Sequence, residues 1–197
     1  MRSKRFLAIA VGLGAAAMPI AALGQSVNVT RSIFPDQPYT LIYPEAMVAS
    51  GGAGEPLTIN HPNAPLQCDL SVVPVEDATW TADSALASLD AQAISSAWSE
   101  NFPGFAMGNT GTTQFQDATA LIYEGTSESS PMETPITLVH TETVSSGRGY
   151  SLDCIYATSV AEQVRPAVDF IIANFSTRSD ADCCVGATPE TEASPAQ

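Results

Sequence analysis

Two cysteines stand side by side in the stretch DCCVG, as Cys183 and Cys184, and the chain has only two others, Cys68 and Cys154. Thiols can ligate metals, attack electrophiles or oxidise to disulfides, and their spacing chooses among these. A four-cysteine zinc site normally presents two close pairs such as C-x-x-C, and that spacing is absent. An even number of cysteines in an oxidising compartment reads instead as a disulfide framework. Four cysteines allow three pairings. A bond between Cys183 and Cys184 closes a tight ring, whereas a bond to a distant partner needs only ordinary geometry. The expected arrangement is a clasp in which the tail pair bridges to Cys68 and Cys154. Adjacent residues about 3.8 Å apart can reach neighbouring strands about 4.8 Å apart. Two other arrangements remain open: a Cys68–Cys154 bridge with a vicinal pair left at the tail, and free thiols or a metal site.

The two histidines, His61 and His140, are the candidates for acid–base work. A hydrolytic triad would need one of them beside a nucleophile and an orienting carboxylate. His140 lies in TLVHTET, where the alternation of a strand puts Leu138, His140 and Glu142 on one face. A solvent-edge histidine paired with Glu142 is expected there ahead of a catalytic base. His61 sits in the proline-rich turn INHPNAPL, where its ring is expected to hold the turn by bonding a carbonyl. As a metal ligand it would need companions, and Asp36, Glu45 and Asp69 qualify by chemistry alone. No G-x-S-x-G, H-E-x-x-H, phosphate-loop or calcium-loop pattern occurs. The acidic stretch from Glu124 to Glu133 lacks the alternating oxygen ligands and central glycine of a calcium loop. No catalytic, cofactor-binding or metal residue is assigned.

Charge narrows the partners. Residues 1 to 24 have a basic start (Arg2, Lys4, Arg5), an apolar run from Phe6 and small residues at Ala22 and Gly24, which is the layout of a cleaved export signal. Pro19, Gly12 and Gly14 make a poor membrane span, and no other stretch approaches the roughly 20 apolar residues a bilayer requires. The expected location is periplasmic or secreted, with no stable membrane anchor. Beyond this leader the chain has no lysine and only Arg31, Arg148, Arg165 and Arg178 against 21 acidic residues, a net charge of 4 − 21 = −17. Such a surface repels nucleic acid, whose phosphates require Lys and Arg for neutralisation. It suits solubility, and it leaves a cationic partner possible.

These residues must be positioned by a fold. A hydrophobic content of 45% argues against wholesale disorder, and residues 25–184 are long enough for one domain with a sizeable core. The end, 185–197, lacks large apolar residues and reads as a disordered acidic tail. Tyr39, Leu41 and Tyr43 alternate as a strand, as do Leu57 and Ile59, with the glycine-rich SGGAG as a flexible link between them. Residues 66–75 form the next strand, with Cys68 on its apolar face. From Thr81, a capping residue, Leu86, Leu89, Ala93 and Ala97 follow at helical spacing until Asn101 and Pro103, which predicts one long helix. Strands return near Phe115, near Ile122, from Pro135 and from Tyr150, too closely spaced for helical crossovers and therefore an antiparallel meander. Val164, Val168, Ile171, Ile172 and Phe175 mark a last helix, its regular part starting near Arg165 so that Pro166 falls in the first turn. The sum is an α+β fold: an antiparallel sheet of about six to seven strands with two main helices packed on it.

The order of an early YTLIYP strand, a CDLSVV strand, a long helix, a meander ending in GYSLDCIYA and a closing VDFIIANF helix resembles the PsbP-like superfamily. That family is named for an extrinsic photosystem subunit and includes many exported bacterial proteins. The resemblance covers residues 38–176, and Tyr43-Pro44 and Asn174-Phe175 carry it most visibly. It implies a small binding or assembly module, mostly without catalysis. No functional residue of the photosystem subunit maps onto a position here, and the four cysteines and missing lysines set this chain apart from that subunit. The expectation is an exported noncatalytic module, disulfide-stabilised, that holds an unknown protein or small ligand without a cofactor. The alternative is a periplasmic hydrolase with a site assembled around His61 or His140, which would require a pocket where histidine, carboxylate and nucleophile meet.

Overall fold

The structure, a computed structural model, describes residues 26–52, 55–77, 79–131 and 133–184. The expected signal (1–24) and tail (185–197) lie outside the described residues.

Alternation of buried and exposed side chains builds the sheet. In β5 (Leu66–Pro74), Leu66, Cys68 and Leu70 are buried, and in β9 (Arg148–Ala157), Tyr150, Leu152, Cys154 and Tyr156 are buried. The two strands pair antiparallel with Cys68 directly opposite Cys154. On one side follow β4 (Leu57–Asn60) and β3 (Val48–Gly51); on the other follow β8 (Ile136–Ser145), β7 (Thr119–Ser127) and β6 (Ala106–Gln114). The seven-stranded order is β3-β4-β5-β9-β8-β7-β6, and every pairing in it is antiparallel. The expected meander is therefore present as β6 to β9. A second, three-stranded sheet joins β1 (Val27–Arg31), β2 (Thr40–Pro44) and the two-residue β10 (Phe175–Ser176).

The main core lies on one face of the large sheet. Val164, Val168, Ile171 and Ile172 of α3 (Ala161–Ala173) pack there with Leu41 and Tyr43 of β2, against the inner residues of β5 and β9. A guanidinium fastens this layer: Arg165 meets Glu124 of β7 at 2.6 Å and Asp169 at 2.7 Å. The opposite face carries α1 (Ala82–Ala87) and α2 (Ala91–Ser99) over the β6–β8 half.

Several expectations are corrected. The single helix from Thr81 is two helices. Thr81 caps the first as expected, but the Asp90 carboxylate accepts from the amides of Gln92 and Ala93, both at 3.0 Å, and starts a second. A short side-chain acceptor that satisfies the free amides of a new helix competes with continuation of the old one. The last helix begins at Ala161, behind a short 3-10 turn (Thr158–Val160), so Pro166 lies inside it. Val164 is buried ahead of the proline and anchors the first turn, while Pro166 and Glu162 are on the exposed side, where the carbonyl that lacks its amide partner meets water. Ser50 and Gly51, read as part of a link, belong to β3, and the strand read near Phe115 runs earlier, over Ala106–Gln114.

The disulfide clasp is overturned as well. Cys68 and Cys154 are bonded to each other, with their Cα atoms 4.0 Å apart and the S–S distance 2.03 Å, and Cys183 is bonded to Cys184. Register explains it: directly opposed residues on one face of an antiparallel pair hold their side chains closest to each other. The segment bearing the vicinal pair is held elsewhere. Arg31 donates to the Ala181 carbonyl at 2.9 Å, and Gln116 donates to the Asp182 carbonyl at 3.0 Å.

Candidate functional site on the open sheet face

On the face opposite the main core, α1 and α2 cover only half of the large sheet. Trp80, Leu86, Leu89, Ile94, Trp98 and Phe102 pack over Leu121, Tyr123, Ile136 and Leu138. The other half, formed by β3, β4, β5 and β9, has no helix on it, and Thr58, Gln67, Asp69, Ser71, Asp153 and Ile155 remain partly or wholly exposed. Pairing register aligns one row across both halves: Thr58, Asp69, Asp153, His140 and Tyr123 stand successively opposite one another on β4, β5, β9, β8 and β7.

His140 is the hinge of this row. Its Nδ1 meets Asp153 Oδ1 at 2.5 Å and its Nε2 meets Glu142 Oε2 at 3.5 Å. The ring stacks on Tyr123 with centroids 4.4 Å apart, and Trp98 stands edge-on at 6.4 Å. Trp98 Nε1 donates to the Tyr123 hydroxyl at 2.8 Å, which ties α2 to the sheet. Burial alone would push the His140 pKa down; the hydrogen bonds and charges of Asp153 and Glu142 override it and raise the pKa to about 9. The Tyr123 hydroxyl is pushed up to about 12, chiefly by burial. At neutral pH the ring is therefore an imidazolium that presents both N–H groups to carboxylates. Such a group has no free lone pair with which to take a proton from a substrate.

The row is rich in carboxylate. Asp69 accepts from Thr58 Oγ1 at 2.5 Å and from Gln67 Nε2 at 2.7 Å. It stands directly opposite Asp153 on the neighbouring strand. Like charges so placed repel, and the single imidazolium is shared between Asp153 and Glu142. Open clefts flank the row. One, of about 450 Å³, lies between the β4–β5 turn and the end of α2 and is bordered by His61, Gln67, Phe102, Pro131, Ile136 and Ile155. The other, of about 610 Å³, lies under α1 and α2 and is bordered by Asp77, Trp80, Leu89, Ile94, Leu121 and Glu142.

The sequence placed His140 and Glu142 on one face, and they do pair. His140 is not at the solvent edge, however: only 8% of the residue is exposed, because Trp98 from α2 closes over it. His61 holds its turn in a different way from the one expected. Its Nδ1 accepts from the Asn63 amide at 3.2 Å rather than bonding a carbonyl. Asp36 and Glu45 are not gathered with His61 and Asp69, and among the described residues no group of three His, Cys, Asp or Glu side chains is placed to hold a metal. Asp153, Tyr123 and Trp98 were not singled out from the sequence. The signal for Asp153 was available, because it sits between Leu152 and Cys154 and so faces away from their core.

The antiparallel sheet with helices on both faces makes a small α+β domain of a fold also found in solved structures. No protein-family model and no curated protein matches the chain. LpqN of Mycobacterium tuberculosis, involved in cell envelope biogenesis, superposes with a TM-score of 0.52 at 14% identity, covering 77% of this chain and 90% of that one. The Ran-binding protein Mog1p of Saccharomyces cerevisiae superposes with a TM-score of 0.50 at 7% identity, covering 77% and 96%. The cyanobacterial PsbP, CyanoP, of Synechocystis gives 0.49 at 11% identity, covering 82% and 98%. At these identities the likeness to LpqN and Mog1p is one of fold alone.

Proposed function

We propose that this protein is an exported, noncatalytic binding or assembly module that works through its open sheet face. The observation that carries the reading is the state of His140. Both ring nitrogens are committed to carboxylates, so the most elaborated polar cluster on that face organises a surface and an aromatic wall rather than a nucleophile. The buried Cys68–Cys154 cystine supports the compartment, because such bonds persist in oxidising surroundings and are rare where thiols are kept reduced. Among the described residues no helix is long and apolar enough to cross a membrane. An envelope role is in keeping with the involvement of LpqN in cell envelope biogenesis.

The test has two arms. Fractionation of cells that produce the full chain is expected to place it in the periplasm or medium, starting at Gln25; retention in the cytoplasm overturns export. The mature protein is then offered chromogenic carboxylic and phosphoric esters. No turnover dependent on His61 or His140 is expected, and turnover abolished by His140→Gln or His61→Gln would establish the hydrolase instead.

A further inference from the structure

The open sheet face is not a featureless plane, and its parts point to a partner of definite chemistry. Ile155 borders one cleft and Glu142 the other. Asp153 is two residues from Ile155 along β9, and Glu142 stands opposite Ser151 on the same strand. Between the two clefts a shallow channel is outlined by the partly exposed residues Glu142, Ser151 and Asp153 on β8 and β9. Its ends are lined by apolar side chains, Phe102, Ile136 and Ile155 at one and Trp80, Leu89 and Ile94 at the other. Its middle is anionic: Asp153 and Glu142 face the one charged ring of His140, and Asp69 stands opposite Asp153.

Apart from His140, no cationic side chain among the described residues pairs with these carboxylates. The four arginines beyond the leader are all committed elsewhere: Arg31 to the Ala181 carbonyl, Arg148 to the carbonyls of Asp36 and Ser146, Arg165 to Glu124 and Asp169, and Arg178 to Asp180. A channel with apolar ends and a centre of three carboxylates against one imidazolium keeps a net negative charge, and is complementary to Lys and Arg side chains, whose aliphatic stems cover apolar surface while their heads meet carboxylates. The direction of the channel along the strands matches an extended chain, because side chains of such a chain repeat at the same spacing as those of the floor.

We infer that the channel docks an extended basic segment of a protein partner, with alternate cationic residues over Asp69, Asp153 and Glu142 and apolar residues in the two end clefts. The inference deepens the reading of a binding module and rests on it. Titration of the mature protein with an N-acetylated hexapeptide of alternating Lys and Leu, with its Glu/Leu and Lys/Gly counterparts as comparisons, tests it. Saturable binding of the Lys/Leu peptide is expected, weakened by salt, weaker for Lys/Gly and absent for Glu/Leu. The Asp69→Asn/Glu142→Gln double variant is expected to lose about tenfold in affinity, in line with two partly screened ion pairs. The charge-matched Glu45→Gln/Glu162→Gln variant, altered at exposed sites outside the channel, is expected to keep its affinity. Equal loss in both double variants would reduce the binding to diffuse attraction and overturn the inference. Spermine binding as tightly as the peptide would also overturn it, since the apolar ends would then contribute nothing. Should the channel variant fail to fold, the peptide series and its salt dependence on the unmodified protein decide the matter. Absence of peptide binding together with absence of turnover overturns the inference and leaves the binding-module reading; His140-dependent turnover overturns that reading whatever the peptide does.

Discussion

His140 ties the charge of the sheet face to the stability of the fold. In an unfolded chain a histidine titrates near its ordinary value of 6.5, whereas here Asp153 and Glu142 raise it to about 9. A raised histidine binds its proton more tightly in the folded state. Its contribution is therefore fully present below about pH 6.5 and is lost as the pH climbs through about 9. The difference corresponds to a stabilisation on the order of 3 kcal/mol. Urea unfolding at pH 6 and at pH 9.5 is expected to show the unmodified protein losing a few kcal/mol across that window, with His140→Gln less stable at pH 6 and nearly flat between the two. Parallel pH profiles for the two proteins would show that the pairs with Asp153 and Glu142 contribute nothing net.

At the scale of elements, the helix pair is held by a cap and by a missing side chain. Gly125 of β7 leaves the space that the Phe105 ring fills: a Cβ there would lie 2.1 Å from Phe105 Cζ. Phe105 is buried and packs with Trp98 at 6.1 Å, so Gly125→Ala has to displace the Phe105 ring and disturb the Trp98 packed on it. A loss of about 1–3 kcal/mol is expected from such overpacking, with a change in the Trp98 emission spectrum that a mere loss of strand propensity would not cause. Asp90→Ala, which removes the cap of α2, is expected to cost about 1 kcal/mol; thermal melts rank the two variants, and a milder Gly125→Ala would contradict the packing argument. The break at Asp90 was hidden in the sequence because Leu86, Leu89, Ala93 and Ala97 keep helical spacing across it. Strands β5, β7, β8 and β9 were legible because one face of each is apolar. Strands β1, β3 and β10 were not, being short and, in β1 and β3, largely unburied, held by pairing to neighbours that only the fold supplies. The site was half legible for the same reason: alternation puts His140 with Glu142, but Asp153 and Trp98 come to them through register and through a helix distant in sequence.

At the scale of the whole molecule, a chain with a net charge of −17 over residues 25–197 repels itself when compact, and a covalent tie across the middle of the sheet opposes that tendency. Cys68 and Cys154 are separated by 86 positions in sequence and meet on adjacent central strands with neither residue exposed. Closing a loop of that length restricts the unfolded chain by about 4–5 kcal/mol in the entropy model. The Cys68→Ala/Cys154→Ala variant is therefore expected to unfold at markedly lower urea concentration. The vicinal pair differs, because Cys183 is exposed and Cys184 half-buried on a surface segment. Under native conditions a reductant followed by a maleimide is expected to label Cys183 and Cys184 and to spare Cys68 and Cys154 until denaturant is added. Peptide mapping of the nonreduced protein is expected to yield Cys68 joined to Cys154. A peptide that joins either of them to the tail would return the clasp. Equal labelling of all four cysteines in the folded protein would show that the central tie is not enclosed by the core that packs around it.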